Sequence, residues 1–295
     1  MSSMTRYRLT HETLYRYSAT VTRSNQLAHL KPRETDWQQL HSHRLIVEPV
    51  PVERSESNDY FGNSVARFAV YEPHGELRVR AESEVTVRST ADRIGSGQAP
   101  WESGRAPARC EIGRIALEVE QYRAGSERAP IRADCADYAR RSFTPGRDAL
   151  EAALDLTKRI HRDFSYDPQA TTVTTRVEEV LRLRRGVCQD FAHLMISCLR
   201  SLGLPARYVS GYVMTYASPE KPRLVGADAS HAWVACHWPS IGWVALDPTN
   251  AKLADQEFVT LGWGRDFADV TPLRGVVLGA AEQQLSVAVS VQPIG

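Results

Sequence analysis

The chain has 295 residues, 42% hydrophobic and 24% charged, which allows one large or two modest globular domains. A formal net charge of +1 offers no global field for nucleic acid or an anionic membrane surface. No run approaches the ~18 apolar residues of a membrane span. The start, MSSMTRYRLTHETLYRY, has no apolar segment of a signal peptide. Cys110, Cys135, Cys188, Cys198 and Cys236 form no Cys-x-x-Cys pair, which argues against a disulfide framework or a four-cysteine zinc site and for a reducing cytoplasm.

Residues 5–90 read as β-rich. Tyr7, Leu9, His11, Thr13, Tyr15 and Tyr17 alternate with Arg8, Thr10, Glu12, Leu14 and Arg16. HRLIVEPV, VARFAVYE and ELRVRAESEVTVRS give further strands, punctuated at Tyr60–Asn63 and His74-Gly75. Short strands with regular turn signals predict a β-sandwich-like N-terminal domain over 1–95, with the tyrosines in core and girdle roles and the domain serving as scaffold or lid. Residues 96–145 read as linker and short helices. The stretch 94–108 is rich in Gly, Pro, Ala and Ser, although Trp101 is costly to leave in water, and DCADYARRSF forms a short helix with Cys135 inward.

A third region, 146–295, opens with DALEAALDLTKRIHRDF, a helix with Leu150, Ala153, Leu154 and Ile160 on one face. Tyr166 and Pro168 follow in a loop, and Thr175-x-x-Glu178 reads as a capping box for a helix running to Arg184. RGVCQDFAHLMISCLRSLGL (185–204) is the most informative stretch. Phe191, Leu194, Met195, Cys198, Leu199 and Leu202 recur on one helical face, and Gly203 and Pro205 end the helix. Cys198 therefore reads as core and His193 as a packed polar residue on another face. ARYVSGYVMTY (206–216) alternates as a strand, and the loop 217–228 is expected to wall a cleft. His231–Trp238 and Trp243–Asp247 read as strands about a Pro239–Gly242 turn. GVVLG and LSVAVSV close the chain as two strands about a turn.

Cys188 falls in the first turn of its helix, where free N–H groups and the helix dipole favour a thiolate and hence a nucleophilic sulfur. Gly186 permits a tight turn just before it. A nucleophilic cysteine needs a base and a group that orients the base. If the two strands pair about 239–242, His231 lies opposite or diagonal to a residue near Asp247, whose carboxylate can hold one imidazole nitrogen and leave the other for Cys188. Asp190 meets the helix dipole favourably and can order the cleft. Tyr166 can border an oxyanion site, Gln189 adjoins the thiol, and Trp233 packs by the strands or stacks on substrate. Cys236-His237 lacks the partners of a tetrahedral metal site, so neither metal nor cofactor is expected.

GVCQDFAHLM, LGLPARYVSGYV, DASHAWV and GWVALDPTN together resemble the transglutaminase-like superfamily of papain-like cysteine enzymes, and most of all its bacterial branch with a β-rich N-terminal region. The resemblance implies an α+β architecture, with helices packed on an antiparallel sheet after the β domain. It also implies a Cys–His–Asp triad, here Cys188, His231 and Asp247. Eukaryotic crosslinking members carry an aromatic residue after the catalytic cysteine; this chain has Gln189-Asp190. With that residue absent and no clustered acidic calcium pattern visible, a cysteine-dependent peptidase or amidase is the expected activity, on a peptide or protein amide. Transamidation to an amine, a catalytically idle binding module and a zinc hydrolase are the alternatives.

Overall fold

A computed structural model describes residues 4–91, 99–108, 116–214, 229–279 and 282–294. Six strands open the chain: β1 (Met4–Val21), β2 (Arg23–Ala28), β3 (Gln38–Glu48), β4 (Glu53–Asn58), β5 (Ser64–Val70) and β6 (His74–Arg88). Period-two alternation in β1 and β6 turns one row of side chains inward, as expected for a half-buried strand. One half of the inward faces of these strands (Tyr15, Leu77, Val79) packs with Phe68 and Val70 into the sandwich core. The other half (Tyr7, Leu9, Val85, Val87) packs on the sheet of the following domain.

The helical region follows. A 3-10 turn at Trp101–Arg105 buries Trp101 against Phe143, with its indole N–H on the Thr144 carbonyl, so this part of the expected linker is folded onto the body. A single turn α1 (Leu117–Glu120) leads to α2 (Ala133–Arg140), with Cys135 fully buried. Helix α3 (Ala149–Asp163) is capped by Asp148, whose carboxylate accepts from the backbone N–H groups of Leu150 and Glu151. Two two-residue strands, β7 (Ser165–Tyr166) and β8 (Arg185–Gly186), pair in parallel and flank α4 (Val177–Leu183). The expected capping box is not formed. Arg176 is the N-cap, and the Thr175 hydroxyl instead accepts from the Thr172 backbone inside the preceding turn. A Thr hydroxyl can close a local turn as readily as cap a helix.

Helix α5 (Cys188–Ser201) is the buried axis of this region. It is enclosed almost all round rather than on one stripe, because α2, α3, α4 and a sheet all pack against it. Two of its buried polar residues, His193 and Arg200, have partners there. His193 Nε2 accepts from the Phe267 N–H, and the buried Arg200 donates to the carbonyls of Tyr122, Ala129, Ala206 and Arg265. The sheet has the order β12-β11-β10-β9-β13, made of β9 (Ala206–Val213), β10 (His231–Trp238), β11 (Gly242–Asp247), β12 (Lys252–Leu253) and β13 (Phe258–Gly264). Sequence patterning does not bring out β13. Its outer edge is closed by side-chain amides: Gln38 exchanges hydrogen bonds with the Thr260 backbone, and Asn63 with that of Trp263. These amides stand in for a neighbouring strand and tie the sandwich to the sheet.

The last two strands, β14 (Leu273–Leu278) and β15 (Gln283–Pro293), do not form a hairpin within the third region. β14 joins β2 in the sheet β14-β2-β5-β4, and β15 lies antiparallel to β1 along eleven paired residues in β15-β1-β6-β3. The C-terminal strands therefore complete the N-terminal sandwich. Their pattern predicts strands correctly, but partner choice depends on surfaces some 260 residues away in sequence, which no local rule encodes. No helix among the described residues is long and apolar enough to cross a membrane.

Candidate active site

The three residues that sequence reasoning selected converge at the mouth of α5. β10 and β11 pair about Pro239–Gly242, with Val234 opposite Leu246 and Trp238 opposite Gly242. Continued outward, this register places Trp233 across from Asp247, so His231 and Asp247 are diagonal neighbours on one face. The His231 Nε2–H donates to Asp247 Oδ2 at 2.9 Å, with both side chains fully buried. Asp247 is held in turn by the Thr249 N–H at 2.8 Å and the Asn250 side-chain amide at 2.7 Å. Burial opposes the Asp247 charge, but the His231 charge and these donors win and hold its carboxyl below the usual range.

Nε2 being committed to Asp247, Nδ1 is the nitrogen left for Cys188. It is buried and makes no hydrogen bond among the described residues. Burial alone would drive the proton off the His231 ring. Asp247, through charge and hydrogen bond, and then the adjoining Cys188 thiol, reverse this and raise its pKa to about 10. The ring is fixed from behind by Trp233, stacked at 6.2 Å, and by Phe258 at 6.1 Å.

Cys188 is the first residue of α5 and is 9% exposed. Its N–H belongs to the first turn, which lacks intrahelical acceptors. Asp190, at the third position, turns its carboxylate back to accept from the Val187 N–H at 2.8 Å and the Thr171 hydroxyl at 2.6 Å. This is the return half of a capping box; Val187 has no side-chain acceptor to supply the other half. Burial raises the Asp190 pKa, while the two donors pull it down. A Cβ on Gly186 would sit 2.7 Å from the Asp190 carboxylate, so the glycine serves the close approach of that carboxylate rather than a left-handed turn. Asp190→Ala would leave the part-buried Val187 N–H and Thr171 hydroxyl unmatched. It is expected to cost about 2–4 kcal/mol of stability in denaturant unfolding.

Cys188 and His231 line a cavity of about 340 Å³. Tyr166 and Gln189 line it; Asp190 and Trp233 do not. Asp190 points back under the helix start, and Trp233 is buried behind His231 on a different cavity. Tyr166 is positioned by the pairing of β7 with β8 opposite Gly186. Burial, then the charges of Cys188 and Asp190, push its phenol to about 12, so it keeps its proton and can donate. The loop 217–228, expected as one wall, lies outside the described residues. Cys236 and His237, adjacent on β10, face opposite sides of the sheet. Cys236 packs toward α5 and His237 against Trp243, so they do not converge on a metal.

The opposite wall comes from the sandwich, through His11 and Thr13 of β1, Leu273 of β14 and Leu285 and Val287 of β15. Sequence reasoning did not select these residues. The signal was present: His11 and Thr13 are polar members of the inward row of β1, between Leu9 and Tyr15. Both are satisfied, His11 Nδ1 by the Tyr212 hydroxyl and Nε2 by the Thr13 hydroxyl, each at 2.9 Å. Burial lowers the His11 pKa to about 4, leaving it neutral.

Two family models match the chain: the bacterial transglutaminase-like N-terminal region over residues 7–86 and the transglutaminase-like superfamily over residues 136–248. An uncharacterized protein of Mycobacterium tuberculosis is 42% identical over 301 residues, spanning 99% of this chain and 94% of its own. The chain belongs to the transglutaminase-like superfamily. A solved structure named a "Putative Cysteine Protease", from Cytophaga hutchinsonii, superposes with TM-score 0.76 at 18% identity, covering 100% of this chain and 93% of its own. At that identity the likeness shows the fold, including the sandwich and the five-stranded sheet together. A protein-glutamine gamma-glutamyltransferase of Pseudomonas aeruginosa is 38% identical over 104 residues, 34% of this chain and 15% of its own length.

Proposed function

We propose that this transglutaminase-like chain is a cysteine-dependent amide hydrolase acting on a peptide or protein amide. The observation that carries the reading is the buried His231, gripped by Asp247 on one nitrogen and adjoined by Cys188, at the edge of a cavity. In the proposed cycle His231 takes the Cys188 proton and Asp247 stabilises the imidazolium. The sulfur attacks the amide carbonyl, giving a tetrahedral oxyanion that the Cys188 N–H meets, with the Tyr166 hydroxyl as a second donor. Collapse expels the amine, which takes the His231 proton, and leaves a thioester. Water, deprotonated by His231, then releases the acid and restores the thiol. The apolar wall of Leu273, Leu285 and Val287 suits a substrate with an apolar side chain near the scissile bond. The four described cysteines are free thiols, which supports a reducing, cytoplasmic location.

The match to the gamma-glutamyltransferase favours a second reading, in which an amine resolves the thioester. Mass spectrometry of amide peptides incubated with excess primary amine separates the two. The acid is expected as the main product, and a dominant amine adduct would make the enzyme a transamidase.

A further inference from the structure

A second cavity, of about 290 Å³, lies on the face of the catalytic sheet away from α5, where the sandwich meets it. Its walls are aromatic: Trp37, Trp233, Trp243, Phe258 and Trp263. Into this wall Arg207 of β9 brings a cation, and Arg207 is only 6% exposed. Its guanidinium is sandwiched between Trp243, at 4.0 Å, and Trp263, at 3.7 Å. The far face of Trp263 carries Arg33, also at 3.7 Å.

The two arginines differ in one respect. Arg33 donates to the Phe61 carbonyl and to Asn63 Oδ1. Arg207 Nε has no hydrogen-bond partner, and no carboxylate among the described residues pairs with the group. Burial pushes its pKa down to about 9, which leaves it charged at neutral pH. Ring faces attract a cation but do not supply the in-plane acceptors that a guanidinium fork is shaped for. Two acids border the cavity, Asp255 and Asp36. Asp255 accepts from the Ser89 hydroxyl, at 2.6 Å, and the Thr90 N–H, at 2.7 Å; Asp36 has an interaction of its own. Arg88 adds a second cation at the rim.

We propose that this cavity is a binding site for a small apolar carboxylate, an arylacetate for example, whose anion pairs with Arg207 while its ring packs among the tryptophans. The volume lies at the small end of ligand pockets, which fits a single ring with a short acidic arm. The site backs onto the catalytic histidine, because Trp233, part of its wall, stacks on His231. The proposal does not depend on the chemistry at Cys188, and binding tests it without any activity assay.

The full chain is titrated calorimetrically with phenylacetate and with phenylacetamide, the same shape without the charge. Saturable binding of the acid is expected, with the amide at least about tenfold weaker, the ratio set by one charge-assisted hydrogen-bonded pair. Arg207→Met should abolish the preference. Ala245→Leu, which fills the cavity and keeps Arg207, should abolish binding of both. Equal affinity for acid and amide would overturn the proposal. So would acid binding that survives Ala245→Leu, or no binding of the acid at about 10 mM.

Discussion

Cys188→Ala is expected to lose amide turnover by a factor on the order of 10⁶ while keeping its fold. The size follows from the non-additivity of a nucleophile–base pair, in which loss of the nucleophile alone removes nearly all of the covalent route. The fold should survive because the side chain is small and sits at the edge of the core, in the first turn of α5, where it is 9% exposed. A change within about 1 kcal/mol is expected in thermal or denaturant unfolding. Turnover of any peptide amide at the wild-type rate by this variant would remove the nucleophile from Cys188.

Asp247→Asn should lower kcat on the order of 10⁴-fold, because an amide side chain no longer fixes the His231 tautomer or stabilises its charge. It also changes the pH dependence of stability. The His231 pKa is raised to about 10 in the folded chain from an ordinary 6.5. The stability this contributes is fully present below roughly pH 6.5 and disappears as pH rises through about 10. The Asp247 carboxyl is lowered, so its contribution is present above the ordinary carboxylate range and is lost as pH falls below it. Asp247→Asn removes both contributions. The variant is therefore expected to be most destabilised relative to wild type near pH 5–6, with the gap closing toward pH 10. Denaturant unfolding across this range checks it; a gap that widens with pH would contradict the charged pair.

Much of the site is legible in sequence because its information is local. Cys188 is marked by the periodic helix it opens, and the His231–Asp247 diagonal by a hairpin whose turn sits within eight residues of both. The capping role of Asp190 was half visible, since an acid in a first turn predicts favourable placement but not that it lies beneath the helix start. What lay hidden was non-local. The return of β14 and β15 to the sandwich, the capture of β13 by Gln38 and Asn63, and the His11–Thr13 wall of the cleft are all pairings of surfaces distant in the chain. Arg207 gave no signal in sequence, because an alternating strand tolerates an arginine outward as readily as the structure turns it inward between two tryptophans.

The most direct measurement is the rate of alkylation of Cys188 against pH, in wild type and in His231→Ala. A thiolate–imidazolium pair predicts fast alkylation already at roughly pH 6, nearly flat with rising pH, and a marked slowing at that pH in His231→Ala. A wild-type rate that is slow at that pH, climbs only in the alkaline range and is indifferent to residue 231 would contradict the assembled triad.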